Sequence, residues 1–126
     1  MKLVLDTNAL MMPVESGVRL FEELDRLLGD YEAVVPQAVV EELDSLAGGH
    51  GEEATAASVG ADLARRECNV VEHDADYADD AVLEIGQSAD IDYAVTNDKP
   101  LKQRLLEANV PVISLRGRNK LDITEP

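Results

Sequence analysis

The chain has 126 residues and a mass of 13.7 kDa, room for one domain with an ordinary hydrophobic core. A single cysteine excludes an internal disulfide, and one Cys with two His excludes a structural zinc cluster. With 26 acidic against 11 basic side chains the net charge is −15, which excludes a protein that coats nucleic acid by charge alone. Aromatic residues are scarce, so the core is expected from Val, Leu, Ile and Ala. No apolar run approaches the roughly 20 residues that span a bilayer, and no basic-then-apolar leader opens the chain, so a cytoplasmic protein without membrane contact is expected.

The acid excess is uneven. Residues 1–92 carry a net −17 and residues 93–126 a net +2. Acidic surfaces with only four lysines suit a salty cytoplasm such as that of a halophilic archaeon, where ions screen self-repulsion.

Lys2–Leu5 reads as a short buried strand that ends at Asp6. Pro13 is expected to open the next element, a helix in which Val18, Leu20, Phe21, Leu24, Leu27 and Leu28 recur at helical spacing up to Gly29. Tyr31–Val35 is a second strand. A helix follows from Pro36 to about Leu46, stopped by Gly48-Gly49. A loop at His50–Glu53 leads into an Ala-rich helix that ends near Arg66. Asn69–Val71 is a weak strand, Asp74–Asp79 a turn and Asp80–Ala89 a helix. Tyr93–Thr96 is a strand, Leu101–Asn109 a helix and Val112–Leu115 the last strand, before a basic tail from about residue 116. Strands alternating with helices predict one α/β domain over 1–126 with a mostly parallel sheet. In such sheets the site lies at the carboxyl ends of the strands.

Four acids fall at that edge: Asp6 after the first strand, Glu42 in the helix after the second, Asp80 at the start of a helix with Asp79 beside it, and Asp98 after the YAVT strand. Each has an ordinary role open to it, as a helix cap, a turn residue or a solvated face. Together they form a cluster that repels itself unless cations neutralise it. Oxygen ligands without His or Cys select Mg²⁺ or Mn²⁺. A divalent ion so held activates water and stabilises the charge that develops on a phosphodiester.

The segments LDTNAL (5–10), VVPQAVVEEL (34–43), YADDAVLEIG (77–86) and VTNDKPLKQRL (95–105) resemble the PIN domain family of metal-dependent ribonucleases over nearly the whole chain. The resemblance implies a three-layer α/β/α sandwich with a four- to five-stranded, mostly parallel sheet. It implies an acidic quartet of Asp6, Glu42, Asp80 and Asp98 that is catalytic and holds Mg²⁺ or Mn²⁺, supported by Asn8, Thr96 and Asp79. YADD, DKPLKQRL and VPVISLRG are most similar to the branch that processes ribosomal RNA in archaea and eukaryotes, with the toxin nucleases of toxin–antitoxin pairs as the neighbouring branch. Expected partners are therefore RNA, a ribosomal-RNA precursor or other structured RNA, together with ribosome-assembly factors or an antitoxin, and a second copy of the chain. A non-catalytic RNA-binding scaffold is a third reading. A phospho-receiver domain fails at Asn8 and Arg116, where an acid and a lysine are required.

Lys99, Lys102, Arg104, Arg116 and Arg118 lie in the only net-positive stretch, and with Asp98 nearby they suggest a path for the RNA backbone. His50 and His73 read as surface residues, and Cys68 as a packing residue. The charge yields the first prediction. At 0.01 M salt the Debye length is roughly 30 Å and self-repulsion acts across the whole molecule. The melting temperature should therefore rise between low salt and molar KCl; a flat or falling curve would remove the salt-adapted reading.

Overall fold

The computed structural model describes residues 1–126. Lys2–Leu5 forms strand β1, in which Leu3, Val4 and Leu5 are fully buried. A strand without an exposed face belongs inside a sheet covered on both sides. β1 sits between β2 (Glu32–Pro36) and β4 (Tyr93–Val95), parallel to both. β3 (Asn69–Val71) continues the parallel sheet beyond β2, and β5 (Val112–Arg116) beyond β4. β6 (Lys120–Thr124) pairs antiparallel with β5, giving the order β3-β2-β1-β4-β5-β6. The α/β class and the mostly parallel sheet are as expected. The sheet has six strands because the basic tail turns back at Gly117 (φ +72°) and pairs with β5 instead of trailing into solvent.

Two helices, α1 (Thr7–Glu15) and α2 (Leu20–Leu28), join β1 to β2. α3 (Gln37–Ala47) and α4 (Gly51–Glu67) join β2 to β3, α5 (Ala78–Gly86) joins β3 to β4, and α6 (Lys99–Glu107) joins β4 to β5. Right-handed crossovers put α1–α4 on one face of the sheet and α5 and α6 on the other. The packing agrees, since α1 and α3 rest on α4, and α5 on α6. One core of 30 buried residues runs through both faces, almost all Val, Leu, Ile, Met and Ala.

Three local readings are corrected. Pro13 does not open an element but lies inside α1, near its last turn. The helix starts directly after β1 because the Asp6 carboxylate caps it, accepting a hydrogen bond from the Ala9 amide at 2.7 Å, and because Ala9, Leu10, Met11 and Met12 are buried. α5 begins at Ala78, so Asp79 and Asp80 both lie in its first turn. His73 is no free surface group. Its Nε2 accepts from the Ala38 amide at 3.0 Å, while Nδ1 lies 2.8 Å from the Ala75 carbonyl. The ring thereby caps α3, whose N-cap residue Pro36 offers no side-chain bond of its own.

The outer edge of β6 is covered by side chains of α2. Glu23 accepts from the Leu121 amide at 2.9 Å and Arg26 donates to the Leu121 carbonyl at 2.9 Å, while the two side chains pair with each other. The Arg26 guanidinium, followed by the Leu121 amide, holds the Glu23 carboxyl down to about 2.

The site-bearing helix α1 depends on one close approach. A Cβ added at Gly60 of α4 would stand 2.8 Å from the Leu10 carbonyl oxygen and 3.2 Å from Leu43 Cδ2. Alanine is the better helix former, yet here it would push α4 off the α1 backbone. Gly60→Ala should lower stability by about 1–3 kcal/mol, read by denaturant unfolding, where propensity alone predicts a gain. An unchanged or higher midpoint would show that the two helices separate at no cost.

Candidate active site at the switch point of the sheet

β1 and β4 are neighbours whose following connections leave in opposite directions, the arrangement that opens a crevice at the carboxyl ends of the strands. Asp6 follows β1 and Asp98 follows β4 closely, so the topology alone brings both acids to that crevice. Asp6 is 2% exposed. Besides the Ala9 amide it accepts a hydrogen bond from the Thr96 hydroxyl. Thr96 Oγ1 in turn accepts from the Asp98 amide at 3.0 Å, so one hydroxyl ties the two acids together. Asp98 caps α6, its Oδ1 accepting from the Leu101 amide at 3.1 Å. Asn8 Oδ1 accepts from the Asn97 amide at 3.0 Å, and Asn97 Oδ1 accepts from the Leu115 amide at 2.7 Å, which pins this loop to β5 beyond the end of the β4 ladder.

The crevice is an open cleft of about 250 Å³ with six carboxylates on its walls: Asp6, Glu15, Glu42, Glu53, Asp79 and Asp98. Thr7, Asn8, Met11 and Leu46 complete the lining. Burial pushes the Asp6 carboxyl up to about 7, against the Thr96 and Ala9 hydrogen bonds that favour its charge, and the charges of Asp79 and Asp98 add to the rise. Asp79 is raised as well, by partial desolvation and then by Asp98, with Arg104 pulling the other way. A larger hollow of about 460 Å³, lined by Pro13, Val18, Leu20, Phe21 and Leu63 among others, lies away from these acids and holds no such chemistry.

Of the sequence-predicted residues, Asp6, Glu42, Asp98, Asn8 and Asp79 line the cleft, and Thr96 stands behind Asp6. Asp80 does not. It points to α6, where its Oδ1 takes the Arg104 guanidinium at 2.8 Å. Adjacent residues of a helix point about 100° apart, and here it is Asp79 that faces the cleft. The basic set is also altered. Lys102 Nζ donates to Ser114 Oγ at 3.1 Å and Arg116 pairs with Asp122 at 2.7 Å, so with Arg104 three of the five cations have partners in the protein. Lys99 and Arg118 have none. Cys68 fits its packing role: burial, with the Glu67 charge behind it, pushes the thiol up to about 12, far from a thiolate at neutral pH.

Glu15 and Glu53 were missed by sequence reasoning. Asn8, Met11 and Glu15 share a face at helical spacing, a signal that needed residues 7–15 to be read as a helix. Glu53 carries no local signal, since it arrives through the packing of α4 on α1.

The donor set is all oxygen, as Mg²⁺ and Mn²⁺ prefer. One buried hydroxyl at the cleft, Thr7 Oγ1, has no hydrogen-bond partner in the protein. No three of the carboxylates converge into a closed set of ligands for one ion. That spacing fits a hydrated ion that keeps several waters and takes one or two carboxylates directly.

The chain matches the family model described as "PIN like domain" over residues 3–118. It is 32% identical over 127 residues to Ribonuclease VapC4 of Methanocaldococcus jannaschii, covering 97% of this chain and 95% of the relative. Among solved structures it is similar to the PIN domain endonuclease Utp24, with a TM-score of 0.79 and 22% identity, covering 99% of this chain and 92% of that one. That last likeness speaks for the fold alone.

The burial of Asp6 has a pH signature. In the folded chain its proton leaves near pH 7, in the unfolded chain near pH 4. Between these values the folded state holds a proton that the unfolded state has lost, so ionising Asp6 costs stability as pH rises from about 4 to 7. Without divalent ions, the melting temperature of Asp6→Asn relative to wild type should climb across that window, reaching a gain of roughly 1–3 kcal/mol, a few degrees, by pH 8. A difference that stays flat from pH 4 to 8 would show that Asp6 ionises as easily folded as unfolded.

Proposed function

The chain belongs to the PIN-like domain family, and we propose that within it this protein is a divalent-metal-dependent endoribonuclease. The observation that carries the reading is the convergence of Asp6, Asp79 and Asp98 on one cleft at the switch point, in a family whose full-length relative is named a ribonuclease. Asp6, Asp79 and Asp98 would hold a hydrated Mg²⁺ or Mn²⁺, one or two of them directly and the rest, with Glu42, through water; Asp80 leaves the metal set. When bound, such an ion supplies a lowered pKa for water and charge stabilisation at the scissile phosphate. The chain's own part is positional. Thr96 fixes the Asp6 carboxylate and the Asp98 amide together, Asn8 and Asn97 hold the loop that carries Asp98, and the cleft's open side admits a phosphodiester strand. Lys99 and Arg118, free of internal partners, are open to contact RNA phosphates.

The relative that supports the activity, VapC4, belongs to the toxin branch, so a ribonuclease toxin with an antitoxin partner is the reading favoured here. Ribosomal-RNA processing, which the short YADD, DKPLKQRL and VPVISLRG segments favour, stands second. Growth arrest on expression, relieved by the product of the adjacent reading frame, supports the first. Selective cleavage of precursor ribosomal RNA without toxicity supports the second.

The activity itself is tested with total RNA, with and without Mn²⁺ or Mg²⁺, at low and molar salt. Cleavage should require the ion and fall at least about 100-fold in both Asp6→Asn and Asp79→Asn while the fold persists. RNA cut equally well in excess chelator, or by both variants, would overturn the metal-dependent mechanism, and RNA bound but never cut would leave the scaffold reading in its place.

A further inference from the structure

Asp80 and Arg104 form an ion pair beside the acid cleft: Asp80 adjoins the lining residue Asp79, and the Arg104 charge acts on that carboxyl. Asp80 stands in the first turn of α5, next in sequence to Asp79, and Arg104 lies six residues after Asp98 on α6. Both side chains are about half exposed, at 46% and 45%. An exposed pair of this kind contributes little to stability, commonly under about 1 kcal/mol, so its worth lies elsewhere. The guanidinium makes a single hydrogen bond, from Nη2 to Asp80 Oδ1 at 2.8 Å. The rest of its fork of five N–H donors is uncommitted. Its charge also reaches Asp79, which it holds back from a further rise.

Building on the nuclease reading, we propose that Asp80 is a positioning residue that orients Arg104, and that Arg104 so held receives a non-bridging phosphate oxygen of the RNA strand entering the cleft. A guanidinium left loose among six carboxylates would fold onto the nearest of them and block a site for cation or substrate. Paired with Asp80, which does not line the cleft, it keeps its remaining donors free of the acids and stays half exposed beside Asp79. It then offers a polyanion one fixed positive charge beside the acids. That division lets the acids serve the cation while the arginine serves the phosphate.

The test is a double-mutant cycle on Asp80→Asn, Arg104→Gln and the double variant, with Arg104→Lys as the conservative control. Binding of a fluorescent single-stranded RNA is read by anisotropy in chelator, Mn²⁺ binding by calorimetry, and cleavage by kcat and KM. Asp80→Asn and Arg104→Gln should each weaken RNA binding about 3- to 10-fold and raise KM in step. Mn²⁺ affinity should stay within about twofold. The double variant should be no weaker than Arg104→Gln, and Arg104→Gln should lower the slope of log affinity against log salt by about 0.7, the loss of one phosphate contact on a single strand. Arg104→Lys should keep that slope and lose part of the affinity, since one charge remains without the fork.

A tenfold loss of Mn²⁺ affinity in Asp80→Asn would make Asp80 a metal ligand and overturn the proposal. So would an Asp80→Asn defect that persists on top of Arg104→Gln, or RNA binding untouched by either change. The nuclease reading fails separately. If wild type binds RNA with these dependences but never cuts it in Mn²⁺, the positioning role stands and the enzyme does not. Wild type that binds no RNA overturns both.

Discussion

A carboxylate buried at the end of the central strand is the constraint on which the rest of this structure turns. Asp6 has left water, and its protein partners, the Ala9 amide and the Thr96 hydroxyl, supply hydrogen bonds but no positive charge. Each partner binds a further element into place. The Ala9 bond starts α1, which carries Asn8 and Glu15. Thr96 passes its lone pair to the Asp98 amide and so sets the start of α6. Asn8 and Asn97 then extend the same network to β5. The loop geometry around the cleft follows from satisfying one desolvated acid.

Helix capping and site building prove to be the same act here. Asp6 caps α1, Asp98 caps α6, and Asp79 lies in the first turn of α5. Three helix N-termini thus face one cleft, each favouring negative charge by a few tenths to one kcal/mol when exposed. Those partial positive charges offset some of the mutual repulsion of the acids. A cap and a candidate ligand are therefore no alternatives for Asp6 or Asp98; capping holds the carboxylate still enough to serve.

Much of this was legible in the chain. The buried strands β1, β2, β4 and β5 read correctly from continuous apolar runs, and their alternation with helices led to the sheet and to the edge where the acids gather. What failed did so for physical reasons. Pro13 hid α1, because a proline beyond the first turn of a helix is disfavoured and the buried Leu10–Met12 face outweighs it. β6 was hidden because its two apolar residues, Leu121 and Ile123, are too short an alternation to stand out beside Lys120 and Asp122. Which of Asp79 and Asp80 lines the cleft is set by the rotation of α5 about its axis, which two adjacent acids in a sequence do not reveal. The cations of the last third were visible as residues, but their pairing with Asp80, Ser114 and Asp122 depends on how α5, α6 and the β5–β6 hairpin come together.

The Glu23–Arg26 pair on Leu121 bears on how copies of this chain can meet. Its two side chains occupy the amide and carbonyl that β6 would offer to an incoming strand, and the Asp122 carboxylate takes the Ile123 amide beside them. At the opposite end of the sheet β3 has no such cover, and Val70 is 44% exposed there. Fibrous growth by strand pairing needs two receptive edges per molecule, and this molecule has one. Strand pairing between copies is therefore limited to the β3 edge, and an edge that can be used once cannot propagate.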